Sequence, residues 1–304
     1  MPRHPNPPSA VSDPTLADRL FAAVQYPLPH HALSRAVHWL ARRRAPWLRG
    51  PLIRAFIRLF GVDMAEAAEP DPDAYPHFNA FFTRALKPQA RPLPAAQTLL
   101  VSPVDALISQ CGPIHEDGLF QAKGRTFSLL ELLGGTPAQA DAFLGGRFAT
   151  LYLSPRDYHR IHMPAGGRLR DCCYIPGRLF SVNGATTRAV PRLFARNERV
   201  VLHFDTALGP MALVLVGAML VGSIETRWAG EITPPHRRRP ARIDAGLGER
   251  LARGEELGRF NMGSTVILCL PPGPLAWDER LLAQTPVRVN QPLARARQAV
   301  HLPP

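Results

Sequence analysis

The sequence predicts an α+β fold in which basic amphipathic N-terminal helices precede a β-rich core of sandwich or barrel type. Three observations carry this. Residues 1–62 place apolar side chains at helical spacing and carry nine arginines against two aspartates, more than half of the net +12 charge. Residues 66–76, rich in Pro and acidic side chains, then break that pattern. Beyond them come short β-branched runs separated by Gly, Pro and Asp, the punctuation of strands and turns. The expected organisation is a helical region over residues 1–75 and a β-rich domain over residues 76–304.

The extreme N-terminus, Met1-Pro2-Arg3-His4-Pro5-Asn6-Pro7-Pro8, has no apolar signal-peptide core, so a cytoplasmic protein is expected. Residues 33–44 set Leu33, Val37 and Leu40 against Arg35, Arg42 and Arg43, with Trp39 and Trp47 suited to a lipid headgroup interface. Residues 52–60 form a second apolar surface, interrupted by Arg54 and Arg58. Each arginine beside an anionic leaflet is worth about 1 kcal/mol, so both helices predict peripheral attachment to an anionic membrane surface. The plainer alternative is that they pack on the core with solvated arginines.

Strands are predicted over residues 148–153, 200–204, 211–224, 265–270 and 287–290. The 211–224 run is broken by Gly217 and Gly222 and is too short to span a bilayer as a helix. Ser128-Leu129-Leu130-Glu131 has capping-box spacing, and Thr136-Pro137 opens a second short helix that Gly145 can end. With 46% hydrophobic residues the chain can bury a sizeable core. A nucleic-acid partner is disfavoured, because only Lys87 and Lys123 accompany the arginines and no recognition module is present. Cys111, Cys172, Cys173 and Cys269 lack metal-ligand spacing and read as buried thiols, so no metal is expected.

Chemistry concentrates in Phe260-Asn261-Met262-Gly263-Ser264-Thr265-Val266-Ile267. A serine hydroxyl can attack the carbonyl before it when a base takes its proton and the backbone is held strained. Glycine at the preceding position leaves that carbonyl open. If the resulting ester breaks by β-elimination, the serine ends as an N-terminal pyruvoyl group. The chain would then make its own carbonyl cofactor from Ser264.

This octapeptide resembles the processing site of the phosphatidylserine decarboxylase proenzymes, with Met262-Gly263-Ser264-Thr265 where the family has Leu-Gly-Ser-Thr. Three further segments carry the resemblance in the same order: Phe81-Phe82-Thr83-Arg84-Ala85-Leu86-Lys87-Pro88-Gln89-Ala90-Arg91-Pro92, Val101-Ser102-Pro103-Val104-Asp105-Ala106 and Tyr158-His159-Arg160-Ile161-His162-Met163-Pro164. It extends over about residues 78–293 and is similar to the longer, bacterial and mitochondrial branch.

The resemblance implies cleavage at Gly263–Ser264 into residues 1–263 and 264–304, with the two pieces remaining partners. It implies a Ser-His-Asp arrangement of Ser264, His162 and Asp105 for that step, and His159 as a proton donor in decarboxylation. Val104 and Ala106 depart from the family's usual Ala and Gly. It further implies phosphatidylserine as substrate, the pyruvoyl group as sole cofactor, an electron sink for the decarboxylated carbon, and the cytoplasmic face of the bacterial cell membrane as location; a homodimer is compatible with it. From the residues alone, a lone His-x-x-His is more often structural than catalytic. Two competing readings are a serine hydrolase using the same three residues, which lacks a Gly-x-Ser-x-Gly elbow, and a membrane-surface scaffold resting on the basic helices.

Overall fold

The computed structural model describes residues 13–96, 99–115, 118–122, 125–220, 223–233, 238–273 and 275–296. The Met1–Pro8 segment and residues 221–222 of the long apolar run lie outside them. Three helices open the chain: α1 (Leu16–Gln25), α2 (His30–Ala41) and α3 (Pro46–Phe60). A short α4 (Phe78–Phe82) follows, and the β-rich part begins near residue 99. The α+β class expected is the one found, and no closed barrel forms among the described residues.

The main sheet is antiparallel. Its long strands are, in chain order, β1 (Ala106–Pro113), β2 (Arg147–Tyr152), β3 (Gly167–Ile175), β4 (Arg199–Thr206), β5 (Gly209–Val216) and β6 (Thr265–Leu270). Their spatial order is β3-β4-β5-β6-β2-β1, with shorter strands at both edges. β6 therefore lies at the centre, paired to β5 on one side and β2 on the other. Every residue of β6 is buried. Val266, Leu268 and Leu270 face one core and Ile267 and Cys269 the other, which explains why the segment reads as continuously apolar.

One face is covered by a four-stranded sheet containing Arg160–His162 and Glu256–Phe260, which contributes Ile161, Leu257 and Phe260 to the core. The other is covered by short helices carrying Leu129, Leu132, Leu193 and Phe194. Ser128 caps the helix at Leu129–Leu133, as its spacing predicts. The helix begun by Thr136-Pro137 stops at Asp141, before Gly145. The predicted 211–224 run is not one strand: β5 ends at Val216 and the next strand begins at Ile224.

The N-terminal helices are docked onto this body through polar side chains. Asp18 pairs with Arg188 at 2.9 Å, Gln25 holds both the backbone N–H and the hydroxyl of Ser181, and the Arg42 guanidinium meets Glu231. The face of α3 expected to meet lipid is mostly turned inward. Ile53 is fully buried and Phe56 and Ile57 pack beside Phe78, Phe81 and Phe82, because that aromatic cluster offers a better apolar partner than solvent. An outward apolar face occurs instead on α1, whose Leu16, Leu20, Phe21 and Val24 are all exposed, and α1 was not among the predicted helices.

Candidate active site

Gly263 and Ser264 form the entry to β6, so the most central strand of the fold begins at the junction. The chain is pinned on both sides of it. Downstream, the Ser264 carbonyl accepts from the Leu153 N–H at 2.8 Å. Upstream, the Asn261 backbone N–H donates to Ser223 at 2.9 Å, and its side-chain amide donates to Glu225 at 2.9 Å and Glu231 at 3.0 Å. Between the anchors Met262 adopts φ 92°, a conformation that costs a non-glycine residue about 1–3 kcal/mol. Its side chain packs against the aromatic cluster of α3 and α4, so surrounding contacts hold the strained turn.

His159 lies against this turn. A β-carbon placed on Gly263 would sit 2.3 Å from His159 Cε1 and 2.7 Å from Nδ1, so only glycine allows the imidazole its position. Retreat is blocked, because the ring stacks on Phe82 with centroids 4.0 Å apart. The imidazole is fully buried and neither nitrogen makes a well-formed hydrogen bond, although the carbonyls of Pro155 and Ser154 lie close enough to favour a proton slightly. Burial, and after it the charge of Arg84, push its pKa down to about 3. The Ser264 hydroxyl is likewise buried and unpaired. Gly263→Ala is expected to displace the imidazole and the turn together and to slow the cleavage that the sequence resemblance implies at this bond by on the order of 10²-fold, read as the cleaved fraction over time on a denaturing gel.

His162 is held differently. Its Nδ1 is 2.8 Å from the Gly254 carbonyl, which can only accept, so Nδ1 carries the proton. Nε2 then accepts from the Tyr158 hydroxyl at 3.1 Å. Burial lowers its pKa, and the Gly254 carbonyl partly offsets this. Burial raises the Tyr158 phenol well above the usual range, keeping it a donor.

The hydrogen-bonded relay Asp105–His162–Ser264 expected from the resemblance is not assembled in this structure. Asp105 accepts from Arg91 Nε at 2.9 Å, from its Nη2, and from the Val289 backbone N–H at 2.8 Å. A guanidinium fork binds a carboxylate more strongly than one imidazole N–H can, and the Gly254 carbonyl occupies the place that Asp105 was expected to fill. The structure thus brings His159 to the junction, joins His162 to Tyr158, and holds Asp105 on Arg91. Tyr158, Arg91, Asn261 and Met262 were missed as functional residues. All four lie inside segments singled out on sequence, but only their partners in the fold reveal what they hold.

No helix among the described residues is long and apolar enough to cross a membrane. Comparison with known proteins places the chain in a class of enzyme. The family described as phosphatidylserine decarboxylase matches residues 78–295, and a second family model, described as PSD, matches residues 20–61. Among curated proteins, phosphatidylserine decarboxylase proenzymes are 62% identical in Alkalilimnicola ehrlichii (84% of this chain, 90% of the relative), 54% in Nitrosococcus oceani (94% and 94%) and 55% in Pseudomonas aeruginosa (93% and 99%). The class is that of the decarboxylases. The chain belongs to the phosphatidylserine decarboxylase family.

Proposed function

We propose that the chain is a precursor that cleaves itself between Gly263 and Ser264 and then decarboxylates phosphatidylserine to phosphatidylethanolamine in phospholipid biosynthesis. The observation that carries this reading is the junction itself: a buried serine hydroxyl with no competing partner, following a strained Met262 and a glycine that nothing larger can replace. Attack of Ser264 Oγ on the Gly263 carbonyl exchanges the amide for an ester. Elimination then takes the Cα proton of residue 264 and breaks the bond between that oxygen and Ser264 Cβ, freeing Gly263 as a carboxylate and leaving a Cα=Cβ enamine whose Cβ takes up a proton. Water replaces the nitrogen of residue 264, released as ammonia, and a pyruvoyl group is left. When formed, that group supplies a carbonyl that joins the substrate amine and withdraws the electrons left behind by carbon dioxide.

His162 takes the serine proton in this proposal. An effective base has a pKa near the working pH, and His159, held at about 3, is too weak. His162 has its lone pair on Nε2, fixed there by the Gly254 carbonyl; burial lowers its proton affinity, and the Gly254 carbonyl and the charges of Glu256 and Asp105 restore part of it. Tyr158 must release Nε2 for the transfer. His159 works after cleavage: the new Gly263 carboxylate arises beside its ring and raises its proton affinity, making it the donor to the carbon that lost carbon dioxide. In Ser264→Ala the His159 ring should remain neutral down to about pH 4 by NMR. In the cleaved protein its titration midpoint should rise by about 3 units, towards neutrality, as donation of a proton requires; equal midpoints would refute this step.

A lipid substrate fits the outward face of α1, together with exposed Trp39, Trp47 and Leu59. These side chains and the surrounding arginines are assigned to shallow attachment at the cytoplasmic face of the bacterial cell membrane. Phe21→Glu with Leu20→Glu should weaken co-sedimentation with phosphatidylserine vesicles by about tenfold or more while leaving chain cleavage intact. The catalytic reading is tested with a carbonyl-reactive hydrazide, which should label only a fragment beginning at residue 264 and abolish carbon dioxide release. Undiminished turnover after complete labelling would refute it.

A further inference from the structure

Arg84 follows α4 and is only 4% exposed. It is the one residue shared by the walls of two clefts. The first, ≈ 420 Å³, includes Asn261 and Arg160; the second, ≈ 270 Å³, includes Asp105 and Tyr158. Seven arginines line the two clefts. Six have a carboxylate within 4.0 Å: Arg42, Arg91, Arg156, Arg160, Arg259 and Arg288. Arg84 has none among the described residues. Its Nη2 donates to the Arg156 carbonyl at 3.1 Å, the Phe81 ring centroid lies 5.6 Å from the guanidinium carbon, and Nε is buried without any partner.

A buried cation without a counter-ion is costly, and a guanidinium fork matches the oxygens of a phosphate. The position is also the right one. Phe82, two residues earlier, stacks on His159, the Arg84 charge is felt by that imidazole, and Asn261 of the first cleft stands two residues before Gly263. Two anions of a phosphatidylserine headgroup could answer it. Clamping the carboxylate would stabilise the ground state more than a transition state in which that charge moves away, raising the barrier. The phosphodiester keeps its charge throughout.

We infer that Arg84 is the receptor for the phosphodiester of the lipid headgroup, an inference that rests on the decarboxylase reading above. The test uses cleaved protein and two soluble probes: glycerophosphoethanolamine, a phosphodiester without a carboxylate, and free L-serine, a carboxylate without a phosphate. Arg84→Gln should raise KM for phosphatidylserine and the inhibition constant of glycerophosphoethanolamine by about 10- to 100-fold, with inhibition by serine little changed. Arg84→Lys, which keeps the charge without the fork, should fall between Gln and wild type; if Arg84→Gln does not accumulate as cleaved protein, the Lys variant decides by the same two titrations. Selective loss of serine inhibition would overturn the inference, as would unchanged constants in the variant. Wild-type protein that is uncleaved or does not release carbon dioxide would instead refute the underlying decarboxylase reading.

Discussion

Replacing Ser264 with alanine is expected to leave the chain uncut at its full 304 residues and to lower carbon dioxide release by more than about 10⁴-fold. The effect is this large because one oxygen has two uses. In the proposed mechanism it is the nucleophile that opens the Gly263 amide, and its departure from Cβ creates the carbonyl on which the later chemistry depends. The fold should survive, since the hydroxyl makes no hydrogen bond to lose and β6 is held by its neighbours β2 and β5. A thermal midpoint near that of the wild type, measured on the uncut variant, separates loss of chemistry from loss of structure. Partial cleavage of the variant would mean that another group attacks the junction.

The two histidines are expected to separate. His162→Gln should slow cleavage by about 10²- to 10⁴-fold, the usual contribution of a general base. His159→Gln should still yield two chains yet lower the turnover of phosphatidylserine by a similar factor. Their surroundings account for the difference: His162 is half-buried with a fixed tautomer, whereas His159 is sealed between Phe82 and Gly263 until, in the proposed mechanism, the break in the chain supplies it with a neighbouring charge. Quantifying chain cleavage and substrate turnover on the same preparations distinguishes the roles. Failure of His159→Gln to cleave would reverse the assignment.

The strands were the more legible half of the fold. Residues 148–153, 200–204 and 265–270 are β-branched or aromatic runs with little helical spacing, and all three fall on long strands of the main sheet. The direction in which a helix faces was less legible. The apolar stripe of α3 is real, but its partner is the Phe78–Phe82 segment some twenty residues later, and hydrophobic periodicity does not distinguish a neighbouring helix from a membrane. The junction stood out in the sequence because the chemistry proposed for it is local: glycine, serine and a following strand. The relay around Asp105 was not, since it depends on whether Arg91 or His162 reaches that carboxylate first, and distance along the chain does not decide a contest between hydrogen-bond donors. Nor does sequence show that Met262, not Gly263, carries the positive φ at the junction.

Intact-mass measurement of the purified, unheated protein tests self-cleavage most directly. The expected result is two species, one ending at Gly263 and a 41-residue piece whose first residue, at position 264, has the mass of a pyruvoyl group in place of serine. A single full-length species that nevertheless decarboxylates phosphatidylserine, or a 41-residue piece beginning with unmodified serine in active protein, would contradict the proposed origin of the cofactor.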